Sequence, residues 1–215
     1  MAVRDETQQR LLDTAGQIFA EKGFEGATVR EICQRAGVNI AAVNYYFRDK
    51  ERLYVEAVKQ ACREDAERVP LPEWQPGMSA EVRLRDFIRT FVNRMLGNNR
   101  PRWHTQLILK EMAHPTAACS EWVQEQIRPL CQVLSGILKE LLPEVPERQV
   151  ALIAFSIVGQ CVYHRVFKPI VTLLVGAEEA LTYDAELLAE HITTFSLAAL
   201  GLEKPIGVGS AAASR

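Results

Sequence analysis

Between Thr28 and Lys50 the chain reads TVREICQRAGVNIAAVNYYFRDK, a stretch dense in side chains suited to a phosphate backbone and to base edges. Asn39 and Asn44 carry amides that can donate to and accept from adenine at once, while the methyl groups of Ile40, Ala41 and Ala42 suit the thymine methyl. Ala41 and Ala42 are also small enough to let a helix lie deep in a groove. Tyr45 can hydrogen-bond a phosphate or pack on a thymine. Lys50 falls where a cation opposes the dipole of its own helix and gains nothing from it, which assigns its ammonium to a phosphate. Thr28 can cap a helix and also donate to phosphate, and Asn39 has capping as its own alternative role.

Those residues need rigid carriers, and the local pattern supplies them. Thr28 with Glu31 forms a capping box, and Val29, Ile32, Cys33 and Ala36 recur at helical spacing. Gly37 follows, where a left-handed backbone ends a helix at least cost. Asn39 then opens a second, very short helix over 40–47, with Val43, Tyr46 and Phe47 as its inner positions. A helix, a glycine turn and a second short helix predict a helix-turn-helix whose second helix enters the major groove. Upstream, Glu6 to Lys22 places Leu11, Leu12, Ala15, Ile18 and Phe19 on one stripe, with Gly23 as its stop and Phe24 folding back onto the core. Downstream, Asp49 caps a helix to about Glu67, so movement of that helix reaches the DNA-reading element directly.

Charge gives this assignment little help. The 215 residues carry a net charge of −2, and residues 1–59 hold nine Lys or Arg against nine Asp or Glu. DNA binding therefore rests on a few placed contacts and not on a broad cationic field. Five widely spaced cysteines without a CxxC pair point away from a disulfide framework or structural zinc. No HxxxH or HExxH arrangement, phosphate loop or nucleophile elbow occurs, so neither a metal nor a cofactor nor a catalytic site is expected. No apolar run reaches the ~18–20 residues of a membrane span, and a cytoplasmic location without membrane contact is the expectation.

The remaining chain reads as helix throughout. VPLPEWQPG at 69–77 is a loop. Residues 79–96 form a helix with Val82, Leu84, Phe87, Ile88, Phe91, Val92 and Met95 inward, and 103–113 a shorter one. A long helix over 116–142 contains Pro129, which predicts a kink. Residues 147–167 are apolar around most of the circumference, as for a helix buried on more than one side. A short piece at 170–174 follows, then an amphipathic helix at 182–200 with Leu187, Leu188, His191, Ile192, Phe195 and Leu200 inward. The tail, 203–215, is expected to be disordered.

Over residues 5–60 the run LLDTAGQIFAEKGFEGATVREICQRAGVNIAAVNYYFRDKERLY resembles the tetracycline-repressor (TetR) family of bacterial regulators, with many positions at fixed offsets. The resemblance implies an all-α fold: an N-terminal three-helix helix-turn-helix DNA-binding domain, placed at 1–50, and a C-terminal helical ligand-binding and dimerisation domain, placed at 51–202. It also implies a homodimer through helices at about 147–174 and 182–200. Asn44-Tyr45-Tyr46-Phe47 departs from the family's commoner tyrosine pair followed by histidine and phenylalanine. With KEMAHPTAA and FSIVGQCVYHR, it is similar to a subgroup of cephalosporin- and chloramphenicol-responsive, CecR-like regulators.

The expected function is a ligand-responsive transcriptional regulator, a repressor released from a double-stranded, pseudo-palindromic operator by a small hydrophobic or aromatic effector. An activator role is equally open to the sequence. The bulky apolar residues Phe87, Phe91, Met95, Trp103, Leu107, Met112 and Trp122 are the candidate walls of the effector pocket, although such stripes serve as plain core as well. Gln160, His164 and Arg165 interrupt the most apolar helix and need partners. A ligand, a second subunit and Glu111 are the three on offer. The rival reading is an all-α carrier or enzyme without operator binding.

Overall fold

A computed structural model describes the backbone of residues 2–97 and 101–204, with the side chains of 2–5 and 65 excepted. All regular structure in these residues is helical, twelve α-helices and one π-helical turn, so the all-α expectation holds. The helices are α1 (Ala2–Gly26), α2 (Val29–Ala36), α3 (Ala41–Phe47), α4 (Lys50–Arg68), α5 (Ala80–Leu96), α6 (Arg102–Ala113) and α7 (Ala117–Trp122). A π turn (Val123–Ile127) leads into α8 (Arg128–Leu141), followed by α9 (Glu147–Val166), α10 (Lys168–Val175), α11 (Ala177–Thr182) and α12 (Ala185–Ala199).

The chain packs as two compact units. The first gathers α1 to α4 with α6, α7 and the π turn. The second takes α5 with the loop from Val69 that precedes it, and the described residues from Leu130 onward. Packing thus groups α4, α6 and α7 with the first three helices, whereas the expected functional domains divide at residue 50.

In the first unit, Leu11, Ala15, Ile18 and Phe19 of α1 are fully buried beside Leu53, Ala57 and Val58 of α4 and Leu107 of α6. Gly16 of α1 lies directly against the Trp103 ring, where a Cβ would stand 2.3 Å from a ring carbon. The second unit buries Leu84, Phe87 and Ile88 of α5 with Leu134 and Leu138 of α8, Val150 and Ile157 of α9, and Ile192 of α12. Val82 and Met112 are exposed instead of lying inward.

The long helix expected at 116–142 is three pieces. Pro129 has no N–H to give the carbonyl one turn earlier, and its ring crowds that carbonyl. The turn just before it, Val123–Ile127, widens to the π form, which accommodates both effects without ending the helix. Past Gly176, which adopts φ 90°, α11 adds a helix that periodicity did not reveal. The last long helix starts three residues later than expected, because Asp184 caps it through a bond from the Leu187 N–H (2.9 Å). Its buried face is Leu188, Ala189, Ile192, Thr193, Ser196 and Leu197. Leu187, His191 and Phe195, expected inward, form a second stripe at i, i+4 and i+8 that is exposed. Of the expected disordered tail, residues 205–215 lie outside the described residues.

Candidate nucleic-acid interface

Thr28 and Gly37 bracket the first helix of the reading head. Thr28 takes an extended backbone (φ −118°, ψ 143°), and its Oγ1 accepts from the Glu31 N–H at 3.2 Å. The reciprocal half of the capping box is replaced: the Glu31 carboxylate meets Lys22 Nζ at 2.6 Å, tying α2 to α1. Gly37 adopts φ 65°, ψ 37°, and its N–H closes the helix on Gln34 O. That geometry turns the chain sharply into Asn39, whose Oδ1 accepts from the Ala41 N–H at 2.9 Å and starts α3.

The second helix is held from behind by Val43 and Phe47, which are 0% and 4% exposed. Its other face is turned outward. Asn39, Ile40, Ala41, Asn44 and Tyr45 are all exposed, Tyr45 by 62%. Ala42 is half-buried and packs partly on the core beside Tyr46, so it contributes less to the outer face. Asn44 and Tyr45 therefore project from a helix whose own burial needs are already met, and Thr28 stands exposed at the N-terminus of the preceding helix.

Arg48 follows with φ 74°, an uncommon conformation for a residue with a Cβ. It breaks α3 and lets Asp49 cap α4, with the Arg52 N–H donating to Oδ1 at 2.8 Å. Lys50, placed by the dipole argument without a local partner, has one: its ammonium lies 4.4 Å from the centroid of the Phe24 ring. A cation over an aromatic face is attracted by the ring quadrupole, which holds the side chain without neutralising it.

Two family models match the chain. "Bacterial regulatory proteins, tetR family" covers residues 11–57, and "HTH-type transcriptional dual regulator CecR, C-terminal domain" covers residues 80–200. The chain belongs to the TetR family of transcriptional regulators. Its reading head is similar to that of the probable HTH-type transcriptional regulator YttP of Bacillus subtilis (strain 168), 39% identical over 54 residues. That match spans 25% of this chain and only 26% of YttP. The HTH-type transcriptional dual regulator CecR of Shigella flexneri is 26% identical over 202 residues, covering 88% of this chain and 89% of CecR. Among solved structures, a TetR-like transcriptional regulator from Rhodococcus sp. RHA1 shares the fold at a TM-score of 0.61 and 19% identity. It is matched over 94% of this chain and 98% of that one.

The ligand candidates of this TetR-family chain are divided between the two units. Trp103, Leu107 and Trp122 are packed into the core of the first unit; Phe87 and Phe91 belong to the core of the second, with Met95 partly buried beside them. Phe87 and Phe91 stack on each other at 6.1 Å between centroids, as filler of a core.

The polar residues of α9 separate as well. Arg165 Nη1 donates to Met95 O at 2.6 Å, and Gln160 Nε2 to Ser156 O at 3.4 Å. His164 lines a cleft of about 550 Å³ within the second unit, together with Asn93, Leu96, Lys168, Val171, Tyr183 and Leu188. Burial, helped by the nearby His191, lowers the pKa of His164. Glu111 accepts from Tyr54 and Thr116 within the first unit. Lys168, Tyr183 and Leu188 reach this cleft from separate segments of the chain and converge only after folding. Among the described residues no group of three or more His, Cys, Asp or Glu could hold a metal ion, and no single helix is long and apolar enough to cross a membrane.

Proposed function

We propose that this TetR-family regulator is a ligand-responsive repressor of the CecR-like subgroup, released from a pseudo-palindromic operator by a small hydrophobic or aromatic effector. The observation that carries the DNA half is the outward face of α3. Asn39, Ile40, Ala41, Asn44 and Tyr45 are exposed on a helix whose inner face is already packed. In this reading Asn39 and Asn44 meet base edges with the small residues Ala41 and Ala42 and with Ile40, while Thr28, Tyr45 and Lys50 meet phosphates. Residues 1–50 form the functional DNA-binding domain, and 51–202 the ligand-binding and dimerisation domain. The similarity to CecR along most of the chain, and the model match over 80–200, support the subgroup.

A homodimer through α9 and α12 is favoured by the apolar surface these helices expose. Leu152, Phe155 and Tyr163 of α9 are 57%, 63% and 43% exposed, and Leu187 and Phe195 of α12 are 50% and 49% exposed. Soluble monomers rarely leave such a contiguous patch open. A two-fold dimer sets two recognition helices about one DNA turn apart, ~34–36 Å. The effector must prefer the conformation in which that spacing is wrong, since a ligand binding both conformations equally shifts nothing. The 550 Å³ cleft of the second unit has the size of a small-molecule site and combines apolar walls with His164, Lys168 and Tyr183. It is a better effector site than the packed residues Phe87, Phe91, Trp103, Leu107 and Trp122.

Selection of bound duplexes from random DNA, followed by footprinting, tests the reading. A two-fold symmetric site, lost on Tyr45→Ala with the fold and the dimer intact, is the expected result. Failure of the dimer to select any sequence overturns it.

A further inference from the structure

Glu111 is a carboxylate with no exposed surface, in the core of the first unit. Its oxygens accept from the Tyr54 hydroxyl at 2.6 Å, from the Thr116 N–H at 2.8 Å and from Thr116 Oγ1 at 3.0 Å. It thereby joins the end of α6, the cap of α7 and the first turns of α4. Burial and the facing carboxylate both raise the Tyr54 pKa, so the phenol stays a donor. A well-packed apolar pair in place of a buried polar one is often as stabilising or more so. What the polar pair adds is direction: an O–H···O bond of that length fixes where the tyrosine ring lies.

The ring so fixed is the centre of an aromatic cluster. Tyr54 meets Phe19 edge-on at 4.9 Å and Phe24 at 5.1 Å between centroids. Phe24 in turn carries the Lys50 ammonium 4.4 Å above its ring. Lys50 and Tyr54 are also i and i+4 on α4, one above the other on one face. A continuous chain of contacts therefore runs Glu111, Tyr54, Phe24, Lys50, all within the first unit.

We propose that Glu111, acting through Tyr54 and Phe24, is a positioning residue for the Lys50 ammonium at the DNA backbone. The inference rests on the reading of Lys50 as a phosphate contact. The carboxylate pins the phenol, the phenol sets the Phe24 ring edge-on, and the ring face holds the ammonium while leaving its outer hydrogens for a phosphate. Movement of α6 or of the α7 cap would then reach the DNA through a defined set of atoms.

The test measures the dependence of binding on salt, using the intact protein and a duplex selected from random DNA by the protein itself. Each phosphate neutralised contributes a slope of about −0.9 in log K against log salt. Lys50→Gln is expected to flatten the slope by about 1.8 for a dimer that loses two such contacts. An unchanged slope in that variant overturns the phosphate reading of Lys50, and the inference with it. With Lys50 confirmed, Tyr54→Phe, Glu111→Gln and Phe24→Leu are each expected to flatten the slope in part, and to cost less in the Lys50→Gln background than in the wild type. Phe24→Leu keeps apolar volume and leaves the Glu111–Tyr54 bond in place, so it covers the case in which a core variant fails to fold. Folded variants with the wild-type slope, or with costs fully additive to Lys50→Gln, reduce Glu111 and Tyr54 to structural residues and overturn the proposal. A thermal melt of each variant separates lost fold from lost position.

Discussion

Gly16→Ala ought, on helix propensity, to strengthen the protein. Glycine inside a helix costs about 1 kcal/mol relative to alanine, and Gly16 sits in the middle of α1. The packing reverses the sign. A Cβ on Gly16 would lie 2.3 Å from Cζ3, 2.5 Å from Cη2 and 2.6 Å from Cε3 of Trp103, all within the same indole ring. Trp103 is 5% exposed, so the ring has nowhere to swing. Either the ring or α6 must move by about an ångström, and overpacking of a tight core typically costs about 1–3 kcal/mol, occasionally more. An overlap as close as 2.3 Å belongs in the upper part of that range, about 2–3 kcal/mol, so the propensity gain of about 1 kcal/mol leaves a net loss of roughly 1–2 kcal/mol. For a chain of this size that is a fall of roughly 2–8 °C in melting temperature. Thermal and urea unfolding of Gly16→Ala, Trp103→Leu and the double variant provide the assay. Trp103→Leu makes room for the methyl, so Gly16→Ala should turn neutral or stabilising in that background. A Gly16→Ala variant more stable than wild type, or one whose cost is undiminished in the Trp103→Leu background, would refute the reasoning.

Three further outcomes follow from single sites. Gly37→Ala forces a side chain into the φ 65° conformation that closes α2 and should lower stability by about 1–2 kcal/mol in a urea titration, although the added Cβ meets no neighbour within 4 Å. Burial pushes the Cys161 thiol up to about 12 and leaves it 2% exposed, so a thiol reagent at about pH 8 should modify it only after unfolding; rapid labelling in the native protein would contradict that placement. His164 has a folded pKa below its ordinary value, so the unfolded chain binds more protons as pH falls through about 6.5. Its contribution is present above that pH and is lost below it, and the fall in melting temperature from about pH 7.5 to about 5.5 should be shallower in His164→Asn than in the wild type.

The reading head was legible in the sequence because its determinants are local. A threonine cap, a glycine in the left-handed region and an asparagine cap act within three or four residues of themselves, and all three occupy the expected places. Lys50 is the exception that shows the limit. Its partner Phe24 lies 26 positions earlier and meets it only through the fold of α1 onto α4. The second half was less legible for a related reason. α12 carries apolar residues on two sides, so periodicity could not say whether Leu187, His191 and Phe195 or the neighbouring stripe would face the unit's own core. Trp103 and Phe87 look alike in the sequence, yet they pack into different cores.

The sequence by itself determined that the chain is helical, where most helices begin and end, and which short stretch carries the helix-turn-helix. Propensity, capping and breaking act between neighbours, and neighbours are what a sequence lists in order. Only the tertiary structure decided that α6 and α7 pack with the head, that Gly16 must stay small beneath Trp103, and that the buried Glu111 takes Tyr54 and Thr116 as its partners. Each depends on which distant surfaces close against one another, a choice made by the burial of the whole chain and by no segment alone.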